Sequence, residues 1–312
     1  MTIWINAPFS AKNMELIKNA ATGCEVFIGT EYVPKADIIV GQPPKDLSGV
    51  KLLQSTNAGV ERLLADIPED VVIANVTGAF GDVISEYIIG GVLALNRNLL
   101  RYHEQQRQHI WRDIPQGAML HGKNALILGC GDIGTSTAEK LRAFGMNVTG
   151  IRRSPVPTHG FDRVFGMDML DELLPQTDLL VCCLPHTSET IGLLSEKRIT
   201  LMKCGSFLVN VGRGSLIDEP SLINSLKSKR LAGAVLDVFG QEPLPESSPL
   251  WDMENVLITP HISGPSFGHF PEVERRIAEI CAENISRYLS GKPLVNVIDR
   301  SKGYADRDSF NV

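Results

Sequence analysis

Long apolar runs are missing from this chain. No stretch of roughly eighteen consecutive apolar residues occurs, so no segment reads as a membrane-spanning helix. The opening MTIWINAPFSAKNMELIKN has no basic segment leading into a long apolar one, and no secretory leader is expected there. Basic runs are missing as well: 30 Lys and Arg stand against 36 Asp and Glu, for a net charge of −6, which argues against nucleic acid as a partner. Six cysteines, at 24, 130, 182, 183, 204 and 281, form no C-x-x-C pair, no zinc spacing and no disulfide framework. Several lie in apolar runs, as packed thiols do, and a reducing cytoplasm is the expected compartment. The histidines show no metal-ligand spacing, so no metal is expected. No internal repeat and no low-complexity extension is visible.

What is present is an alternation. With 312 residues the chain exceeds what one core usually serves, and two domains are expected. Short apolar runs at TIWIN, EVFIG, DIIVG, KLLQS and VVIAN alternate with polar stretches through residue 76, the rhythm of a parallel α/β unit. From Asp82 to about Gln108 the positions of Val83, Tyr87, Gly90, Leu93, Leu95, Leu99 and Leu100 predict one long helix with an apolar stripe. Trp111 and the Pro115-Gln116-Gly117 break follow, and a second alternating unit opens at Lys123.

That second unit begins NALILGCGDIGTSTAEKLRAFGMNVTGIRRSP, an apolar strand running into Gly129, Gly131 and Gly134, then a helix, then another strand. G-x-G-x-x-G in this setting is the dinucleotide fingerprint. The first glycine permits the tight turn, the second lets backbone approach a pyrophosphate, and the third allows the helix to pack closely on the strand. Amides opening the helix, at Asp132 and Ile133, would face the phosphates. An acid about 20 residues on usually accepts from the ribose hydroxyls when the cofactor is NAD. No acid occurs here between Glu139 and Asp162, and the strand ends instead in Arg152, Arg153 and Ser154. Two cations and a hydroxyl suit a 2′-phosphate, so NADP(H) is expected in preference to NAD(H); a plain solvated basic turn is the alternative.

Three later segments carry the chemistry: VGRG at 211–214, EPLP at 242–245 and TPHISG at 259–264. Arg213 stands between glycines after the apolar strand FLVNV, and its rigid fork of donors suits a 2-oxo carboxylate in a way a lysine could not copy. His261 follows the strand VLIT, and an imidazole, ordinarily titrating near ~6.5, can give a proton to a forming alkoxide and recover it. Glu242 would orient that imidazole and, being negative, favour its protonated form. His186, in LPHT, is the second choice, since nothing pairs it with a carboxylate.

From the fingerprint through LPHTSET (184–190), VNVGRGSLID (209–218), LDVFGQEPLP (236–245) and ITPHISG (258–264), the chain resembles the D-isomer-specific 2-hydroxyacid dehydrogenases. The separations Arg213 to Glu242 and Glu242 to His261, 29 and 19 positions (242 − 213 and 261 − 242), are similar to those of that family. The arginine pair most resembles its NADPH-linked glyoxylate/hydroxypyruvate and 2-ketoacid reductases. The resemblance implies an α/β fold of two doubly wound parallel-sheet domains. A flavodoxin-like substrate domain would be discontinuous, residues 1–94 and 267–312, and a Rossmann nucleotide domain would span 95–266. It implies catalysis in the cleft by Arg213, Glu242 and His261, with hinges near residues 95 and 266. Further cofactor contacts are implied at Leu184, Pro185, Thr190, Val211, Gly212 and Gly264, with Asp237 against the nicotinamide carboxamide. The substrate carboxylate would be cradled by backbone at Asn57, Ala58, Gly59 and Val60, with Gly78 nearby. Side-chain selectivity is expected near Val60, Phe80 and Trp251. A D product and a homodimer through the helix at 82–108 complete the expectation. Two other readings stay open: a dinucleotide-sensing corepressor-like binding protein, and an NAD-linked phosphoglycerate-type dehydrogenase.

Overall fold

The computed structural model describes residues 1–31, 35–61, 63–115 and 117–305; Gln116 of the expected break, and the 306–312 end of the expected substrate domain, lie outside the described residues. The chain divides into two compact units, Met1–Phe80 with Pro265–Val312, and Gly81–Gly264.

The five N-terminal apolar runs are the five strands of one sheet: β1 (Thr2–Ile5), β2 (Glu25–Ile28), β3 (Ile38–Val40), β4 (Leu52–Gln54) and β5 (Val72–Ala74). Their order is β2-β1-β3-β4-β5, every pair parallel, the doubly wound order of flavodoxin-like folds. β3 and β4 are buried at every position, as central strands of a covered parallel sheet are, whereas β2 at the edge is largely exposed. Helix α1 (Ala11–Ala20) packs against the C-terminal helix Pro271–Leu289. The latter opens on a proline, whose fixed φ suits a first helical turn, and buries Val273, Ile277, Ile280, Cys281 and Ile285 along one face.

The second unit begins with α2 (Gly81–Asn96) and α3 (Leu99–Arg107). One long helix was expected here; Asn98 instead takes a left-handed backbone (φ 54°), and its amide donates to the Pro115 carbonyl, so the helix breaks. The buried face of α2 is also displaced from the expected stripe. Ile84, Ile88, Gly91 and Val92 face inward, while Gly90 is exposed. A Cβ on Gly91 would come within 2.7 Å of Val235, so the helix lies too close to the sheet for any larger residue.

Seven parallel strands follow: β6 (Asn124–Leu128), β7 (Asn147–Ile151), β8 (Arg163–Phe165), β9 (Leu179–Cys182), β10 (Phe207–Asn210), β11 (Gly233–Leu236) and β12 (Val256–Ile258). Their order is β12-β11-β10-β9-β6-β7-β8. In sequence terms this is 3-2-1-4-5-6 extended by one strand, with the strand order reversing between β6 and β9, where such sheets bind ligands at their C-terminal edge. Helix α4 (Asp132–Ala143) connects β6 to β7, and it is the helix on which α2 packs. That contact places α2 in the nucleotide unit, so the chain passes between units at 80/81 and 264/265 rather than at the expected 94 and 266. Among the described residues, no helix is long and apolar enough to cross a membrane.

Candidate active site

β6 runs straight into the glycine fingerprint, and each glycine has a separate physical cause. Gly129 has φ +102°, a conformation that L side chains rarely adopt, and a Cβ there would also meet the Cys183 carbonyl at 3.2 Å. At Gly134 a Cβ would lie 1.9 Å from the Gly129 carbonyl oxygen, which forbids anything larger where α4 leaves the turn. At Gly131, the residue before α4, nothing lies within 4 Å of the Cβ position. The backbone is open there, on the side where helix amides have no intrahelical partner, and a pyrophosphate fits that opening. The Asp132 carboxylate does not crowd it: a Cβ on Gly81 would lie 2.8 Å from its Oδ1, so the side chain turns toward the start of α2. Asp132 and Ile133 therefore bring backbone, not charge, to the candidate phosphate site.

Arg152, Arg153 and Ser154 directly follow β7; Arg152 is half-buried with Nη1 donating to Thr158 Oγ1 at 3.3 Å, and Arg153 and Ser154 are exposed. Across the switch point, β9 leads to Leu184 and Pro185, both half-buried. The Thr190 hydroxyl donates to the Pro185 carbonyl (2.6 Å) and accepts from the Thr187 amide (2.9 Å). Its side chain shapes the 184–190 loop from within, so any cofactor contact by Thr190 belongs to that loop's surface. His186 Nδ1 pairs with Ser215 Oγ at 2.7 Å, a hydroxyl rather than a carboxylate.

β10 delivers Val211, Gly212 and Arg213. Val211 is buried, and a Cβ on Gly212 would meet the Leu184 carbonyl at 2.6 Å, so the two loops touch backbone to backbone. Buried Asn210 fixes the turn: its Oδ1 accepts from the Gly212 amide, and its Nδ2 donates to the Arg213 carbonyl. The Arg213 guanidinium is half-buried, with Nη1 donating to the Gly212 carbonyl at 2.7 Å. Sequence reasoning passed over Asn210; the signal was a polar residue closing an apolar strand, which burial obliges to find partners.

β11 and β12 bring the other two members. Glu242 Oε1 accepts from the Phe239 amide at 3.1 Å, and Oε2 lies 3.0 Å from His261 Nδ1. The imidazole is about half exposed (46 %), more than its partner (25 %). His261 itself has φ 55°, a left-handed backbone uncommon in residues other than glycine. The turn is tied to Asp237, whose main-chain oxygen, together with that of Thr259, accepts from the His261 amide. Its carboxylate is wholly buried, Oδ1 accepting from Thr259 Oγ1 (2.6 Å) and the Ile262 amide (2.8 Å), Oδ2 from the Ser263 amide (2.9 Å). Asp237 thus holds the turn that carries the histidine. Gly264 follows, half-buried, at the end of the unit.

The first unit carries its own backbone cradle. After β4, Asn57 Oδ1 accepts from Ser266 Oγ at 3.1 Å and Asn75 Nδ2 donates to the Ala58 carbonyl at 2.6 Å. With that carbonyl turned inward, the amides of Ala58, Gly59 and Val60 donate to no acceptor among the described residues. The Val60 side chain is 2 % exposed and packs with Trp4 and Leu53, and Phe80 is buried too. Trp251 is exposed, its indole donating to the Pro245 carbonyl. Gly78, at φ +104°, accepts at its carbonyl from Arg276 Nε. No group of three or more His, Cys, Asp or Glu among the described residues is arranged to hold a metal ion.

Residues 89–263 match the profile of the D-isomer specific 2-hydroxyacid dehydrogenase NAD binding domain. A glyoxylate/hydroxypyruvate reductase A from Salmonella dublin is 31% identical over 284 residues, 88% of this chain and 86% of that protein. Among solved structures, a D-isomer specific 2-hydroxyacid dehydrogenase family protein from Aeromonas salmonicida superposes with a TM-score of 0.85 at 37% identity, covering 96% of this chain and 99% of that one. An NADPH-dependent glyoxylate/hydroxypyruvate reductase from Sinorhizobium meliloti, solved with NADP and sulfate, gives 0.82 at 28% identity over 97% and 99%. An Arg–Glu–His set at three adjoining strand ends, a glycine cradle at the switch point and these matches have one common explanation: the chain belongs to the D-isomer specific 2-hydroxyacid dehydrogenase family of NAD(P)-dependent oxidoreductases.

Proposed function

We propose that this protein reduces a small 2-oxo acid to the D-2-hydroxy acid, drawing on NADPH in preference to NADH, with His261 as general acid. The observation that carries the reading is the 3.0 Å pairing of His261 Nδ1 with Glu242 Oε2, in the same unit as Arg213. When bound, the reduced nicotinamide supplies the hydride. Arg213 holds the substrate through its planar fork, polarising the carbonyl. Glu242, fixed by the Phe239 amide, occupies Nδ1 and leaves Nε2 as the nitrogen that hands its proton to the carbonyl oxygen. For the amides of residues 58–60, flanked by Asn57, and for Gly78 the proposed role is to receive the substrate carboxylate.

The glycines at 129, 131 and 134 would hold the pyrophosphate, and Arg152, Arg153 and Ser154 the 2′-phosphate, with the loops at Leu184–Thr190 and Val211–Gly212 along the cofactor. The S. meliloti reductase, which is described as NADPH-dependent, supports the cofactor assignment by likeness. A homodimer is proposed as well, on a narrower surface than the sequence suggested. The inward face of α2 belongs to its own unit, but α3 buries nothing, and Leu99, Leu100, Ile110, Met119 and a wholly exposed Trp111 lie on it and after it.

The test is a panel of glyoxylate, hydroxypyruvate and branched 2-oxo acids, each assayed with both cofactors. Steady NADPH oxidation is expected with at least one, with kcat/KM for NADPH well above that for NADH. His261→Ala should lower kcat at least ~100-fold while NADPH binding stays near wild type. Retained turnover would move the proton to another group, and an NADH preference would overturn the cofactor assignment.

A further inference from the structure

A polar chain runs into the histidine turn from a helix that carries no member of the triad. Tyr87, on α2, places its Oη 2.6 Å from Thr259 Oγ1, and Thr259 Oγ1 lies 2.6 Å from Asp237 Oδ1. The direction of these bonds follows from valence. Thr259 Oγ1 donates to Asp237 Oδ1. A hydroxyl has one proton, so the proton between Tyr87 and Thr259 must be the tyrosine's. Burial pushes the Tyr87 phenol up to about 12, which keeps that proton in place throughout the neutral range. The chain ends on the carboxylate that also gathers the Ile262 and Ser263 amides, while the same residue's main-chain oxygen takes the His261 amide.

His261 sits at φ 55° and is half exposed, so little of its own packing keeps the ring in place. Its amide donates to the main-chain oxygens of Asp237 and Thr259, and Asp237 depends on Thr259 for one of its three carboxylate donors. Hydrogen bonds in such a buried chain polarise one another, so the outer donor strengthens the inner ones. Helix α2 is itself held against the sheet by the close approach of Gly91 to Val235, which gives Tyr87 a rigid base.

We propose that Tyr87 is a positioning residue for His261, acting through Thr259 and Asp237 to hold the 259–263 turn in its left-handed form. The kinetic part of this inference rests on the proposed role of His261; the structural part does not.

The experiment is a double-mutant cycle of Tyr87→Phe and Thr259→Val, with Thr259→Ser as the conservative variant, read in two ways. Backbone amide exchange is measured at residues 261–263 in the cofactor-free protein, and kcat, KM and NADPH affinity are measured in the assay. Tyr87→Phe is expected to speed exchange at 261–263 by about tenfold, the equivalent of one buried hydrogen bond at 1.4 kcal/mol per decade. It should lower kcat about five- to twentyfold, with substrate KM and NADPH Kd within twofold. Thr259→Val should do at least as much, the double variant no more than Thr259→Val alone, and Thr259→Ser should restore both readings. Unchanged exchange at 261–263 in Tyr87→Phe, or effects on exchange that multiply in the double variant, would overturn the inference. Coupled exchange with His261→Ala still turning over would instead sink the general-acid reading and leave the anchoring role standing.

Discussion

Gly134 has no room for a side chain, and Arg153 follows a strand in a stretch, between Glu139 and Asp162, where the sequence carries no acid; these two facts make opposite kinds of prediction. In Gly134→Ala the added methyl meets a backbone carbonyl 1.9 Å away, so the turn must shift. NADPH affinity is expected to fall at least ~10-fold in a fluorescence titration, with a lowered Tm, because misplaced amides forfeit charge-assisted bonds worth ~1.5–3 kcal/mol each. Arg153→Ala leaves the turn intact and removes one cation. It should lower kcat/KM for NADPH by ~10-fold or more on the same scale while leaving NADH within twofold; equal losses with both cofactors would refute a 2′-phosphate role. The sequence makes both positions readable, since the glycine spacing and the missing acid are local patterns. Asn210 and Thr259 were not readable in that way. Their importance comes from which carbonyls and carboxylates the fold brings to them, and spacing says nothing of that. Asp237 was legible as a buried acid in need of a partner, but its partners are the amides of residues 262 and 263, more than twenty positions away.

At the scale of elements, one residue, through its carboxylate and its carbonyl, gathers the starts of three strands. Asp178, just before β9, accepts from the Asn124 amide at the head of β6 (2.9 Å) and from Lys203 Nζ (2.6 Å), and its carbonyl accepts from the Phe207 amide that opens β10. Partial burial presses its carboxyl upward, but the Asn124 amide and the Lys203 ammonium outweigh that and hold it below the usual carboxylate range. With the folded pKa depressed, the contribution to stability is present above the unfolded value and is lost as pH falls through the folded one. Asp178→Asn is therefore expected to lower Tm by ~2–4 °C at neutral pH, and to lose less Tm than wild type as pH falls below about 4. A constant difference at every pH would argue against the ionised form. The strands themselves were plain in the sequence because β3, β9 and β11 are unbroken apolar runs. The edge strand β8 escaped notice, being short and only half-buried. The long helix was misread because Asn98 resembles any polar helix residue until its left-handed backbone is seen.

At the scale of the whole chain, the family pattern foretold two parallel-sheet units but not where α2 belongs. Its allegiance is set by the close contacts of Gly91 and Gly81, which no periodicity reports. If α3 and the segment after it join two copies, Trp111→Asp should shift the protein from dimer to monomer in light scattering at micromolar concentration. A wild-type monomer would discard the dimer itself. The cysteines add a practical consequence. Burial pushes the Cys130 thiol up to about 12 and raises those of Cys182, Cys183 and Cys281 further, which keeps them from forming the reactive thiolate. Cys204 is the exposed one, in the turn that precedes β10. That turn lies at the N-terminal edge of the sheet, whereas the glycine cradle and the triad lie at the C-terminal edge. In a variant with half-buried Cys24 replaced by Ser, a maleimide fluorophore would thus attach there in a native sample, giving a single optical reporter of binding whose linker stays clear of the nucleotide and triad residues.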